Sequence, residues 1–464
     1  MTSTSAPRVD ARDPHGADRH RERNARRAPR AAFYGLVVDY WEIMLPVVAL
    51  GPAMPYFLPE SLSPTTKATM TMMTFAAAFL GRPIGSVVFG HFADSLGRQR
   101  TTTLCAVGLT ASVLLVAFLP GYEQVGLWGL AGVLALRLLG GVFMGGQYTG
   151  ANPLAMESVQ KHQRGFVGGA IAAAWPVAYV AVSLLTSLLV AIMPVGDSHS
   201  TYVVWGWRIP FVIGSALAFV LFLYLRKTEE SPLFKEAQAV PATSGAPATT
   251  RRRSPLVELL AGPHRRNLAQ VFVMMTGIWF AIQILTVAPS GLLITFLEQD
   301  SKQVLWGLLL ANIALAPCYL IFGVLGQRYG RRPTLMIAGL LLGVVGVPSL
   351  FAALKTINDG GPFALAMVFF TISLCLGVAP NALMIPYICE RFPTNVRASG
   401  YGVGYTVAVV IPGFYSFMLV WLSSFLPYEY GTVVLLTVGA ICITVGAGLG
   451  PETRDVDLQT AKGV

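Results

Sequence analysis

The sequence predicts an all-α integral membrane protein of twelve transmembrane helices, arranged as two similar six-helix bundles. Hydrophobic residues make up 54% of its 464 residues and charged residues only 12%, whereas soluble domains carry about a quarter charged residues. Apolar runs long enough to cross a bilayer recur along the chain. Two sequence motifs repeat at one constant offset. These three observations place the chain in lipid, as a multi-pass protein of the cell membrane.

A helix needs about 20 mostly apolar residues to span the hydrocarbon core. The first half of the chain holds such runs near 31–58, 67–91, 101–119, 125–156, 165–193 and 203–226. The second half holds them near 267–296, 303–326, 333–354, 362–388, 398–424 and 429–450. The predicted bundles are therefore 31–226 and 267–450.

The basic residues predict the orientation of these spans. With the N-terminus inside, 27 of the 33 Lys and Arg residues fall on the cytoplasmic side, as the positive-inside rule expects. They lie in the basic tail 1–30, the even-to-odd connections, the Pro/Ala/Thr-rich linker 227–266 and the tail 451–464. Both termini are therefore predicted to be cytoplasmic.

The net charge of +10 does not indicate a nucleic-acid partner, because the basic residues sit between apolar runs and not on one folded face. The five cysteines show no CxxC spacing and are interpreted as small buried apolar residues. No metal site, cofactor, nucleophile elbow or phosphate loop is indicated. We therefore expect no enzyme.

Two motifs recur at an offset of 233 residues (323 − 90 and 390 − 157). Gly90-x6-Gly97-Arg98 recurs as Gly323-x6-Gly330-Arg331, and Glu157-x6-Arg164 recurs as Glu390-x6-Arg397. One offset for two motifs indicates duplicated halves in parallel orientation, with the substrate site between them near the bilayer midplane. The four residues of the second motif pair are predicted to form a charge relay at the cytoplasmic side.

The loop after the second span reads Gly90-His-Phe-Ala-Asp94-Ser-Leu-Gly97-Arg98-Gln-Arg100. It resembles the signature loop of the major facilitator superfamily, G-x-x-x-D-x-x-G-R-x-[RK]. The resemblance implies a gating loop, whereas the residues alone are also compatible with an ordinary basic turn. In the second copy Gln327 replaces the Asp, which argues against an equal gating role.

Finer features resemble the metabolite:proton symporter family within that superfamily. They are Arg82-Pro83-x-Gly85, Gly145-Gly146, Arg164-Gly165, Trp207-Arg208-Ile209-Pro210-Phe211, Glu230-Ser231-Pro232-x-Phe234 and Pro451-Glu452-Thr453. The resemblance implies a small-molecule substrate, protons as the coupling ion and a functional monomer. Two departures are Gln147, where the family has Glu, and Asp39-x-x-Glu42, where it has Glu-x-x-Asp.

Ionisable groups inside spans are functional candidates because burying them in lipid costs several kcal/mol. They are Asp39, Glu42, Arg82, Arg137 and Arg208, of which Arg208 is near a helix end and can snorkel. At about 1.5 Å per residue, Glu42 lies about 16 Å and Arg137 about 18 Å into their spans. Asp39 and Arg82 are each about 12 Å deep.

Glu42 and Arg137 are therefore expected at one level, and Asp39 shares a helix face with Glu42. The proton affinity of a carboxylate in low dielectric depends on whether a guanidinium is beside it. We predict that Asp39, Glu42 and Arg137 carry proton coupling, with Arg137 freed to receive an anionic substrate. The alternative is a structural ion pair that only neutralises buried charge.

Polar and aromatic residues deep in the spans are the candidate substrate contacts, although each is equally expected in helix packing or interhelical hydrogen bonds. Besides Arg137 they are Tyr40, Gln147, Trp175, Tyr179, Trp279, Gln283, Asn312, Asn381 and Tyr405. The predicted function is proton-coupled import of a small organic acid or zwitterion by alternating access. The alternatives are an uncoupled facilitator, a proton antiporter or exporter of a sugar-like or aromatic molecule, and a transport-derived receptor.

Overall fold

The computed structural model describes residues 14–62, 64–196, 198–230 and 255–458. Within these ranges the secondary structure is α-helical, with short π and 3₁₀ turns and without a β-strand. Residues 1–13, 231–254 and 459–464, which belong to the predicted tails and linker, lie outside the described residues.

Eleven helical segments of the described residues are long and apolar enough to cross a membrane. A further helix of 33 residues lies between the first and second of them. In chain order they are α1 Arg26–Tyr56, α2 Pro64–Leu96, α3 Arg98–Ala117, α4 Trp128–Ser158, α5 Lys161–Ile192, α6 Tyr202–Leu225, α7 Arg265–Ile294, α8 Ser301–Tyr329, α9 Arg331–Asn358, α10 Phe363–Arg391, α11 Arg397–Leu422 and α12 Tyr428–Gly448. The prediction of twelve spanning helices is confirmed.

The first spanning helix is longer and less regular than predicted. The helix that contains α1 already begins at Pro14. The second part of the predicted tail 1–30 therefore belongs to the same helix as the start of α1. Beyond Met44 the chain winds as a π turn over Leu45–Leu50 and a 3₁₀ turn over Gly51–Tyr56. Prolines in this stretch remove backbone donors, which explains why the regular hydrogen-bond ladder ends there.

The helices pack as two bundles that touch through a few helices. In the first half α4 packs along α1, α2 and α3, and in the second half α12 packs along α7 and α9. Between the halves α2 packs against α11, and α5 packs against α8. A substrate path between the halves is therefore bordered by helices of both bundles.

The duplicated turns have the same backbone geometry in both halves. Gly97 joins α2 to α3 with φ 112°, and Gly330 joins α8 to α9 with φ 108°. This left-handed region is costly for residues with a Cβ, so glycine at both turns has a conformational reason. Arg332 donates to the carbonyl of Gly448 at 2.8 Å, which places the end of α12 beside the second turn. We call this face the terminal side.

Glutamates from outside the turns stabilise the helices that follow them. The N–H of Gln99 at the start of α3 donates to Glu230 Oε2 at 3.1 Å, and the N–H of Arg331 at the start of α9 donates to Glu452 Oε1 at 2.8 Å. A carboxylate at a helix N-terminus satisfies free backbone donors and complements the helix dipole. The Glu-Ser-Pro and Pro-Glu-Thr motifs therefore have one shared structural role.

Candidate functional site

A small cavity, with about 20 Å³ of space for water-sized molecules, lies between the two halves. Five predicted substrate contacts line it: Tyr40, Trp175, Trp279, Gln283 and Asn381. Its other lining residues are Ile43, Phe79, Arg82, Ile282, Val287, Tyr319 and Val378. The cavity has mostly aromatic and aliphatic walls with a few polar groups, which is the usual character of a small-molecule site.

Irregular helical turns bring the two amide side chains to the cavity. Gln283 opens a π turn that runs to Val287 in α7. Asn381 lies in a 3₁₀ turn, Ala379–Leu383, in the middle of α10. Such turns within long helices are frequent at functional sites because they re-aim side chains and free backbone groups.

The remaining predicted contacts lie behind the cavity wall. They are Gln147, Tyr179, Asn312, Tyr405 and Arg137, all of which are buried. The indole N–H of Trp175 donates to Asn312 Oδ1 at 3.2 Å, and that of Trp279 donates to the carbonyl of Tyr405 at 2.7 Å. Asn312 and Tyr405 thus fix the orientation of the two indole rings that line the cavity.

Glu42 and Arg137 form a buried ion pair between α1 and α4. Arg137 Nη1 also donates to the backbone carbonyl of Glu42 at 2.9 Å. Among the described residues, Glu42 Oε2 and Arg137 Nη2 have no hydrogen-bond partner. The ion pair is therefore formed, but some of its hydrogen-bonding atoms are unused. The Glu42 oxygen is able to take up a proton, and the Arg137 nitrogen is able to donate to another partner.

Asp39 lies one turn before Glu42 and is equally buried. Its Oδ1 accepts a hydrogen bond from Gln147 Nε2 at 3.0 Å, and the same nitrogen donates to the carbonyl of Gly35 at 3.1 Å. Asp39 Oδ2 has no partner within the described part of the chain. Gln147, the departure from the family pattern, thus donates a hydrogen bond from a neutral amide to one oxygen of Asp39, a candidate proton carrier.

Arg82 of α2 is a cavity residue that the sequence reasoning counted among the buried charges but did not assign to the substrate. Its Nε and Nη2 donate to Met144 Sδ at 3.2 and 2.8 Å, and its guanidinium lies 4.7 Å from the ring centre of Phe79. It is also within electrostatic reach of Asp39. The available signal was its depth in α2, which matched that of Asp39.

On the terminal side Glu157 lies between two arginines from different halves. Its two carboxylate oxygens pair with Arg98 at the start of α3 and with Arg397 at the start of α11. All three side chains are almost fully buried. This cluster joins the halves, because α3 belongs to the first bundle and α11 to the second.

The repeated motif forms a second cluster around Glu390. Its Oε1 lies 3.4 Å from Arg331 of the same half and 3.9 Å from Arg164 of the other half. Its Oε2 accepts a hydrogen bond from the Thr453 hydroxyl at 2.7 Å. Glu390 is therefore held mainly within its own half, and its contact with the first half is the longer one.

The signature-loop residues Asp94 and Gln327 occupy equivalent places. Asp94 accepts hydrogen bonds from the N–H groups of Ala398 at 3.1 Å and Ser399 at 2.8 Å, at the start of α11. Gln327 Oε1 accepts one from the N–H of Gly165 at 3.0 Å, near the start of α5. The amide keeps the hydrogen bond across the halves but lacks the negative charge that favours a helix N-terminus.

Close backbone approach completes the contact of the halves. A methyl group at Gly90 would lie 3.1 Å from Ser399 Cα, and one at Gly323 would overlap the carbonyl of Gly165. Arg100, the last residue of the signature loop, is exposed. Together with the two glutamate clusters, these contacts close the terminal side of the molecule beneath the cavity.

Comparison with known proteins agrees with this architecture. The sequence profile of the Major Facilitator Superfamily matches residues 40–416, and the chain belongs to that superfamily. It is accordingly a multi-pass membrane transporter and not an enzyme.

Two curated relatives are similar over most of their length. The shikimate transporter of Escherichia coli K12 is 30% identical over 407 residues, which cover 84% of this chain and 85% of the relative. The proline/betaine transporter of the same strain is 26% identical over 430 residues, which cover 90% and 82%.

Among solved structures, the proton:xylose symporter XylE of Escherichia coli matches with a TM-score of 0.72. The alignment covers 94% of this chain and 98% of XylE at 18% identity. At that identity the match establishes the shared fold.

Proposed function

We propose that this transporter is a proton-coupled symporter that imports a small organic acid or zwitterion by alternating access. The observation that carries the proposal is the buried Glu42–Arg137 pair, with Asp39 one turn away, next to a cavity between the halves. Separation of a carboxylate from its guanidinium in low dielectric increases its affinity for a proton. A rocking motion that alters this pair therefore couples proton binding to the exposure of the cavity.

The class of substrate is supported by the cavity and by the relatives. The names of two relatives contain shikimate, proline and betaine, which are all small molecules with one carboxylate. The cavity of this chain includes an arginine among aromatic walls.

We assign the terminal side to the cytoplasm, because the predicted cytoplasmic loops hold 27 of the 33 basic residues. Lys161 and Lys302 are both exposed and lie in the first turns of α5 and α8, on opposite sides in this assignment. In a cysteine-free background, Lys302→Cys should react with an impermeant maleimide on intact cells, and Lys161→Cys should react only after permeabilisation. Equal reaction of both in intact cells would refute the assignment.

The coupling is tested with purified protein in proteoliposomes and a panel of monocarboxylates, dicarboxylates and sugars. With the membrane potential clamped, an inwardly directed gradient of one pH unit should sustain about tenfold accumulation of the true substrate if one proton accompanies it. A facilitator would equilibrate the substrate without accumulating it. That alternative has one observation in its favour, since Glu42 and Arg137 partly satisfy each other behind the cavity wall.

A further inference from the structure

Arg82 is the one charged side chain among the described lining residues of the central cavity. It is 3% exposed, and within the described ranges it forms no ion pair with an Asp or Glu side chain. Its direct partners among the described residues are the Met144 sulfur and the Phe79 ring. A thioether is a weak acceptor and a phenyl face a weak partner for a cation, and Asp39 acts on the guanidinium only electrostatically, without a direct contact.

A buried charge without a close counter-ion is costly, and the cost disappears when a carboxylate pairs with it in good geometry. The planar guanidinium fork fits a carboxylate through two parallel hydrogen bonds. Arg137, the other buried arginine inside a predicted span of the first half, is already paired with Glu42 and lies outside the cavity lining. A substrate carboxylate in the cavity therefore meets Arg82 and not Arg137.

The second half of the molecule presents acceptors to the same cavity. Gln283 Oε1 and Asn381 Oδ1 are buried and have no hydrogen-bond partner among the described residues. The indole N–H groups of Trp175 and Trp279 are already used by protein acceptors. The remaining described lining residues are aromatic or aliphatic, and Tyr40 and Tyr319 among them carry hydroxyl groups.

We propose that Arg82 binds the carboxylate of the substrate and that Gln283 and Asn381 accept hydrogen bonds from a hydroxyl or ammonium group at its other end. The site then selects small monocarboxylates that carry such a donor. A second carboxylate would meet no further cation among the described lining residues, which otherwise offer amide and tyrosine side chains and apolar residues. The inference rests on the transport function proposed above, but it does not require proton coupling.

The test is equilibrium binding by calorimetry to the full-length protein in nanodiscs, without any gradient. The probes are 3-hydroxybenzoate and proline, the methyl ester of each, and the dicarboxylate isophthalate. In the wild type at least one of the two acids should bind, its ester should bind about tenfold more weakly or worse, and isophthalate should not compete. Binding of neither acid, or equal binding of acid and ester, would overturn the proposal.

Arg82→Lys keeps the charge but loses the fork, so it should weaken acid binding by about tenfold or more while leaving the weak ester binding unchanged. Arg208→Lys is the matched control. Arg208 also lies against aromatic rings, 4.7 Å from that of Tyr56, but outside the cavity lining. The affinity of the Arg208→Lys variant for the acid should stay within about twofold of the wild-type value.

Loss of acid binding in both lysine variants, or in neither, would count against Arg82 as the group that binds the carboxylate. The acid and ester comparison on the wild-type protein decides the matter even if Arg82→Lys fails to fold. Binding that depends on Arg82 in a protein that shows no uphill uptake would leave this inference standing and remove the coupling. Uphill uptake together with an acid-binding affinity that does not change in Arg82→Lys would support the coupling and remove this inference.

Discussion

Replacement of Glu42 by glutamine should abolish accumulation driven by a proton gradient while leaving exchange of substrate across the membrane. Glutamine has nearly the shape of the protonated acid but cannot release a proton. The Arg137 guanidinium then keeps the carbonyl contact to residue 42 at 2.9 Å and loses its charged partner. Because each step that moves substrate without a proton remains possible, the accumulation ratio should fall from about tenfold per pH unit to about one.

The measurement is uphill uptake against counterflow exchange of the same substrate in the same proteoliposomes. Glu429→Gln is the matched control, since Glu429 is also a buried glutamate but lies away from the cavity, where it accepts a hydrogen bond from Asn358 at 2.9 Å. It should still accumulate substrate. Asp39→Asn should behave like Glu42→Gln if the two acids share the task. Undiminished accumulation in both cavity-side variants would show that helix α1 does not carry the proton.

Several features of this fold could be predicted because lipid imposes them on the sequence. Long apolar runs and charge asymmetry define the spans, and a constant offset between motifs indicates the duplicated halves. Counting residues along α1 and α4 placed Glu42 and Arg137 at one depth, and the structure contains an ion pair between them. Depth is linear in sequence within a regular helix, so no tertiary knowledge was needed.

Rotation about the helix axis could not be predicted in the same way. A helix in lipid is apolar on nearly all sides, so periodicity does not distinguish the cavity face from the lipid face. Arg82 therefore looked equivalent to the other buried charges, although it lines the cavity. Asn312 and Tyr405 were predicted as substrate contacts on the same basis, and in the structure they accept hydrogen bonds from the indole N–H groups of Trp175 and Trp279.

The hydrogen-bonding role of Gln327 in the second signature loop could not be predicted from the sequence either. Gln327 argued against an equal gating role for the second signature loop, because the family pattern has an acid there. In the structure its amide oxygen accepts from Gly165 in the place where Asp94 accepts from Ala398. The chemistry that both need is an acceptor at a helix start, and an amide oxygen meets that need without a charge.

Replacement of Glu157 by glutamine should produce the largest conformational effect of any single change on the terminal side. Glu157 is the anion that separates the buried guanidinium groups of Arg98 and Arg397, which belong to opposite halves. Removal of the anion from a buried ion cluster costs about 3–5 kcal/mol in the closed state. In a state open on this side both arginines reach water and the cost disappears. The equilibrium should therefore move toward the open state by a factor on the order of 10²–10⁴.

The shift can be measured at Ser399, which is fully buried at the contact of the halves. In a cysteine-free background, Ser399→Cys should react with a maleimide supplied from the terminal side on the order of 100-fold faster in Glu157→Gln than in the parent. Glu390→Gln provides the comparison, because the link from Glu390 to Arg164 of the other half is 3.9 Å long and its remaining partners, Arg331 and Thr453, belong to its own half. Its effect on the labelling rate should be clearly smaller. Equal acceleration by both substitutions would mean that the two clusters bind the halves equally, and no acceleration by Glu157→Gln would mean that the closed state is maintained by helix packing and not by this charge.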